Sequence, residues 1–555
     1  MVDSEDTAAG SDGGKPAPKA DIAKTAVVVI HGMGEQRPLE TLRDFVETVY
    51  QRDLDLATDG GTEKLKVSIV PDDATGSAEL RRITTHGDGP SKRIDFFEFY
   101  WADIMTGTPL EMVTAWVQML LFREPWRVPK AKRVRRAWYI LWALAIVVVL
   151  AAAVTIYPGT FSPGAIGDWI HPVRYAVAAT ASVAALVEFI RRFAAAGGML
   201  EDVRLGLPVA LVVIALILGA LPPPLATDIR FWAGALTAFV GWFMNALVAP
   251  YLGDVVRYVR ATPQTIERRR QVRERGIALL EALHAKRMEG ADNLDFTNAL
   301  AGARPYYDRV VIVGHSLGSV IAYDLLQHFW ERHGPTHHVD WPANNEDVQR
   351  ALDTADGFVK EVWKDEKSDI DKTAFASSQD ALRDELGKSA PWWRISDLIT
   401  LGCPLVHAEF LLTDSPGQLG LGFVERRFAS APPRPDPIAG DSMLYAPSDP
   451  KVRYPHFAAQ FAAVRWTNIF DEEDNPLNGD LVSGKTPDVF GPGVIQQPVQ
   501  IERPGWPKLF RRIFTHTEYW TWHPSYDTPG PNRTVPGHIR HLRDALRLKD
   551  EPAAP

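Results

Sequence analysis

The chain has 555 residues, enough for two or more domains, and its 69 acidic against 60 basic side chains give a formal charge of −9. Without a broad basic excess it does not read as a nucleic-acid binder. Its one cysteine, Cys403, excludes an intrachain disulfide framework and fits a reducing compartment.

Residues 1–22 combine Ser, Asp, Gly, Ala, Pro and Lys without an apolar core, and read as a disordered tail rather than a signal peptide. A buried-type strand over 26–30 then runs into His31-Gly32-Met33-Gly34, a glycine-rich turn able to point a backbone N–H inward. A helix near 38–51 and strands over 65–70 and 94–101 complete a first core segment, 23–122. The character changes over 123–256. Segments near 138–157, 205–227 and 231–253 are uncharged and aliphatic, and each reaches the roughly 20 apolar residues that a membrane crossing needs. A segment near 173–190 is weaker, with Arg174 and Glu188 placed to snorkel from its ends.

Topology decides that weaker segment. The strand at 26–30 and a second buried strand at 311–313 belong to one sheet, so an odd number of crossings is forbidden and four are expected. Arg123, Arg127 and Arg133 before the first span, and Arg257, Arg268 and Arg270 after the last, place the flanking segments and both termini in the cytoplasm. Residues 257–308 read as an amphipathic helical connector and 309–545 as the second core segment. The latter carries a helical surface or lid insertion near 340–390, and 546–555 form a tail.

The strand Val311-Ile312-Val313 feeds Gly314-His315-Ser316-Leu317-Gly318, and a helix-like run follows. A serine on a sharp strand-to-helix turn needs strained backbone angles, and flanking glycines let neighbouring backbone pass. Its hydroxyl needs a base, because a serine is a poor nucleophile at neutral pH. His516, between the apolar stretch 509–514 and an aromatic pair, has the best context; His523 before Pro524 is its rival, and His407 and His456 read as ordinary loop residues. His31 precedes the serine and reads as a packing residue. Beyond the strand at 465–470, Asp471 and Asp474 both qualify as the acid that orients the base, and Glu472, Glu473 and Asp480 read as solvated loop charges. Cys403 reads as a buried small hydrophobe. The adjacent pair His337-His338 lacks further ligands, and no metal or cofactor motif emerges.

These motifs resemble the α/β-hydrolase superfamily, in particular its lipase-like and GPI-inositol-deacylase-like serine esterases. Leu401-Gly402-Cys403-Pro404-Leu405 is similar to their Gly-Ser-Pro-Leu strand end, Trp466-Thr467-Asn468 to their Trp-x-Asn strand, and His516-Thr517-Glu518-Tyr519-Trp520 to their terminal His-x-x-Tyr-Trp. In that pattern the acid directly precedes Pro. Here Asn475 separates Asp474 from Pro476; counting forward from Trp466 favours Asp474, with Asp471 the alternative.

The resemblance implies an α/β-hydrolase fold, a mostly parallel sheet with helices on both faces, interrupted by an all-α transmembrane insertion of about four helices. It implies a membrane-integrated serine hydrolase cleaving a carboxylic ester, in a lipid or another membrane-partitioned acyl compound, through an acyl-enzyme. Ser316 would be the nucleophile, His516 the base and Asp474 the acid, with the N–H groups of Leu317 and Met33 facing the oxyanion. No cofactor is called for. The alternative is a catalytically inactive hydrolase fold serving a membrane assembly as a binding or scaffold module.

Overall fold

Two aliphatic runs build the centre of the sheet. The computed structural model describes residues 24–33, 37–56, 65–72, 74, 80–86, 93–105, 135, 138–139, 142, 146, 258–259, 263, 265–285, 306–335, 345–365, 369–389, 393–413, 416–436, 438, 440–446, 452–473, 478–480, 482–508, 511–527 and 535–548. Its strands in chain order are β1 (Lys24–Ile30), β2 (Val67–Pro71), β3 (Arg81–Thr85), β4 (Arg93–Phe99), β5 (Arg309–His315), β6 (Ile395–Leu401), β7 (Leu444–Tyr445), β8 (Tyr454–Pro455), β9 (Arg465–Phe470) and β10 (Ile495–Pro498). All but the β7–β8 ribbon join one sheet, in the order β10-β9-β6-β5-β1-β4-β3-β2. From β10 to β4 the pairing is parallel, and β3 and β2 continue it antiparallel.

β1 and β5 sit side by side with Val27 opposite Val311. Their aliphatic positions are buried on both faces, as strands covered from both sides require. Chain order runs one way from β1 to β4 and the other way from β5 to β10, so the crevice beyond the carboxyl ends of β1 and β5 is a topological switch point. β3 was not anticipated; its Arg81-Arg82 start and Thr84-Thr85 end give it no aliphatic run to read.

Among the described residues the helices of seven residues or more are α1 (Glu40–Val46, prolonged by a π-turn over Glu47–Gln51), α2 (Ile266–Ala285), α3 (Leu317–His333), α4 (Glu346–Trp363), α5 (Lys372–Ser389), α6 (Pro416–Val424) and α7 (Gly537–Leu546). On one face Phe45, Val46 and Val49 of the α1 region and Leu542 and Leu546 of α7 pack with Val27, Val29, Val313 and Leu401. The alternate residues Val28 and Ile312 are equally buried, and α3 lies along β1, β5 and β6 to cover that face. The stretch expected as a surface or lid insertion forms α4 and α5. Asn345 caps α4, accepting the Asp347 N–H at 2.9 Å. α5 packs on β6 and β9, and Gln379 donates to the carbonyls of Phe461 at 2.7 Å and Val464 at 2.8 Å. α5 is therefore part of the layer covering the sheet.

The chain divides into two units, 1–108 with 123–134 and 254–555, and 109–122 with 135–253. Among the described residues no helix is long and apolar enough to cross a membrane. The tail over 1–22 and the four expected spans lie outside the described residues, apart from Trp138, Tyr139, Trp142 and Ile146, which are helical.

At the amino end of the strands a buried carboxylate ties the C-terminal helix to the sheet. Asp397 of β6 takes Arg309 of β5 at 2.6 Å and Arg547, just beyond α7, at 2.8 Å. Burial opposes its charge, yet Arg309 and Arg547 hold the Asp397 carboxyl well below the usual carboxylate range. Removing the anion leaves two guanidinium groups facing each other. Asp397→Asn is expected to destabilise the fold by about 3–5 kcal/mol, read as a fall in denaturation midpoint at pH 7. Because the folded-state pKa is depressed, the wild-type contribution is full above the unfolded carboxylate value and is lost as pH falls below it. The gap between variant and wild type therefore narrows in strong acid.

Candidate active site

Ser316 stands between β5 and α3 with φ 54° and ψ −127°, a left-handed conformation costly for any residue with a Cβ. Its N–H is held by the Leu401 carbonyl of β6 at 2.9 Å. The flanking glycines are demanded by space. A Cβ on Gly318 would lie 2.3 Å from the Ile30 carbonyl oxygen and 2.4 Å from that of His31; one on Gly314 would meet the Gly318 oxygen at 2.6 Å. Gly32 passes equally close, since a Cβ there would sit 2.9 Å from the Ser316 Cβ. The turn after β1 is thereby pressed against the serine, and Met33 follows at its rim. Leu317 opens α3, so its N–H is one of those without a partner inside the helix.

His516 arrives on a short 3-10 turn, Thr515–Thr517, after Phe514 in a left-handed conformation. Its Nε2 lies 2.7 Å from Ser316 Oγ. On the other side of the ring, Nδ1 lies 2.9 Å from Oδ2 of Asp480. Asp480 is fully buried. The Tyr519 hydroxyl donates to the same oxygen at 2.8 Å, and the Val482 N–H donates to Oδ1 at 2.8 Å. Burial works against its charge, but His516 with the Tyr519 and Ser483 hydroxyls holds the Asp480 carboxyl well below the usual range.

The carboxylate beside His516 is thus Asp480, a buried group where the sequence pattern suggests a solvated loop charge. Asp474 lies outside the described residues. Asp471 is buried but faces elsewhere: it takes Arg512 at 2.6 Å, the Thr515 hydroxyl at 2.7 Å and the Ile501 N–H at 3.2 Å. It fixes the loops that carry Asp480 and His516 rather than the imidazole itself. The available signal was Gly479, whose φ of 68° turns the chain back, so that the Asp480 N–H returns to the Asp471 carbonyl at 2.8 Å. Counting residues forward from Trp466 could not register that reversal.

The other candidates separate cleanly. His523 is half-buried and its ring bonds locally, with Ser525. His456 is buried and donates Nε2–H to the Arg434 carbonyl. His31 donates Nδ1–H to the Gly32 carbonyl at 2.8 Å and stacks on Trp101, as a packing residue should. Burial pushes the Cys403 thiol up to about 12, so it is no nucleophile. Gly402 before it has φ 59°, and a Cβ there would lie 3.1 Å from both Asp480 Oδ2 and His516 Cε1. His315, beside the serine, carries no signal of its own in the sequence; it donates Nε2–H to the His516 carbonyl at 2.8 Å and so pins the loop that carries His516. Among the described residues no cluster of His, Cys, Asp or Glu is arranged to hold a metal ion.

Comparison with family models, curated proteins and solved structures finds no match to this chain.

Two measurements follow. Asp480→Asn removes the acceptor that sets the His516 tautomer, and the rate of fluorophosphonate labelling is expected to fall by about 10³–10⁴. Asp471→Asn should cost thermal stability more than labelling rate; the reverse ranking would return the acid role to Asp471. Burial also lowers His315 to about 3 and His31 to about 4. In the unfolded chain both titrate near 6.5, so the unfolded state binds more protons below that value and stability rises with pH between about 4 and about 6.5. The denaturation midpoint should climb across that window, and His315→Gln should flatten the slope.

Proposed function

We propose that the protein is a membrane-tethered serine hydrolase of the α/β-hydrolase type, cleaving a carboxylic ester of a lipid or another membrane-partitioned acyl compound. The observation that carries this reading is the 2.7 Å contact between Ser316 Oγ and His516 Nε2 at a left-handed strand-to-helix turn. A fully buried Asp480 stands behind the ring. Nothing in packing alone requires those three groups in line, which speaks against an inactive scaffold.

In this reading the imidazole takes the Ser316 proton as Oγ attacks the ester carbonyl, and Asp480 steadies the imidazolium. The oxyanion forms in front of the Leu317 N–H at the start of α3, with the Met33 N–H on the facing turn as the second donor. Collapse breaks the ester C–O bond, and His516 returns the proton to the leaving alkoxide, releasing the alcohol. A water deprotonated by the same imidazole then attacks the acyl-serine, and the proton passes back to Ser316 Oγ as the acid leaves.

The membrane part of the proposal rests on the apolar segments near 138–157, 173–190, 205–227 and 231–253 and their Arg-rich flanks, with the catalytic unit in the cytoplasm. Tethering raises the local concentration of bilayer esters, which favours a lipid substrate. Membranes containing the full chain should be labelled by a fluorophosphonate, and Ser316→Ala should abolish labelling and lower kcat by about 10⁴ or more. Activity should favour bilayer-dispersed acyl esters over short soluble ones. Equal labelling of the variant would overturn the enzyme; a preference for short soluble esters would overturn only the lipid assignment.

A further inference from the structure

Away from Ser316, a cleft of about 860 Å³ runs along the outer side of α3, within the size range of small-molecule sites. Its apolar wall comes from Val259, Val320, Leu412, Phe428 and Phe457. Its charged wall nearly cancels. Asp324 takes Arg273 through Nε at 2.7 Å and Nη2 at 3.0 Å, and the Tyr258 hydroxyl at 2.5 Å. His328 lies between Asp324, 3.4 Å from its Nε2, and Glu331, 2.7 Å from its Nδ1. Burial opposes its charge, yet those two carboxylates push His328 up to about 9, so it is cationic at neutral pH and balances one of them. Arg426 pairs with Asp436, and Arg427 with Glu425.

Arg269 has no direct ion pair of its own. Among the described residues no carboxylate lies within ion-pair distance of it, though its charge is among those that hold the Asp324 carboxyl down; its Nε is buried without a hydrogen-bond partner, and its guanidinium rests over the Tyr258 ring at 5.7 Å. A half-buried guanidinium outside any direct ion pair, lying over an aromatic face above an apolar wall, suits an oxyanion carried on an apolar body. Location narrows the class. Tyr258 and Arg269 follow closely on the segment read as the last membrane crossing, among Arg257, Arg260, Arg268 and Arg270, and such basic flanks face anionic headgroups.

We propose that this cleft binds an anionic phospholipid, with Arg269 on the headgroup phosphate and the apolar wall against the start of an acyl chain. The site is separate from the Ser316 chemistry and rests on the membrane-tethered part of the reading above.

The test uses full-length protein in neutral detergent, titrated with fluorescent phosphatidylglycerol and competed with unlabelled phosphatidylcholine, oleate and glycerol 3-phosphate. Arg269→Gln should weaken phosphatidylglycerol binding about tenfold or more. Arg269→Lys should retain most of the affinity, and both variants should keep wild-type fluorophosphonate labelling, which also certifies that they fold. Unchanged binding by Arg269→Gln overturns the proposal. So does equal competition by phosphatidylcholine, by oleate, or by glycerol 3-phosphate, which would make the ligand respectively any lipid, a fatty acid or a soluble phosphate. Ser316→Ala keeps the two readings apart: it should bind phosphatidylglycerol like wild type, and a chain that binds the lipid yet is never labelled retains the cleft and loses the enzyme.

Discussion

Everything at the carboxyl end of the sheet depends on how closely the turn after β1 can approach the turn after β5. Gly318 at the start of α3 presses against the carbonyls of Ile30 and His31, and Gly32 lies against the Ser316 side chain. A single methyl at any of these contacts would drive the two turns apart. That crowding forces Ser316 into its left-handed backbone and aims its hydroxyl at His516. The strain is sustained because β1, β5 and β6 are buried strands that cannot yield, with the Ser316 N–H locked to β6.

Around this fixed point the polar groups are arranged in two tiers. Asp480 and His516 meet the serine, while Asp471, Arg512, Thr515 and Tyr519 hold the loops that deliver them. Tyr519 links the tiers, donating to Asp480 and accepting the Asp471 N–H at 3.2 Å. A buried carboxylate that organises and a buried carboxylate that orients lie nine residues apart in the chain, and only their partners tell them apart. His315 and His31 serve from the other side as neutral hydrogen-bonding rings, because burial denies them a proton.

The α3 helix connects this chemistry to a different surface. Its first residue, Leu317, follows Ser316 directly, and its outer side, from Val320 to Glu331, lines the Arg269 cleft. One rigid element thus has the Ser316 turn at its head and a charge-balanced groove along its flank.

Local patterns made the central elements legible. Aliphatic runs marked β1 and β5, and Gly-x-Ser-x-Gly between a strand and a helix marked the turn, because the backbone there tolerates only glycine at its close contacts. The aromatic setting of His516 and the glycine before Cys403 were legible for the same reason: each is a short-range demand on the chain. The strand β3 was hidden, since its arginines and threonines carry no aliphatic signal. The identity of the acid was hidden more deeply. Asp471, Asp474 and Asp480 look alike in a polar loop, and the choice among them is made by contacts with residues far along the chain. Thr515, 44 residues on, claims Asp471; His516 and Tyr519, 36 and 39 residues on, claim Asp480. The sequence by itself marked the Ser316 turn, because the glycines its close contacts demand stand at fixed spacing on either side of the serine. Which carboxylate faces the histidine was decided only by tertiary structure, because a loop's path is set by where its distant hydrogen-bond partners stand.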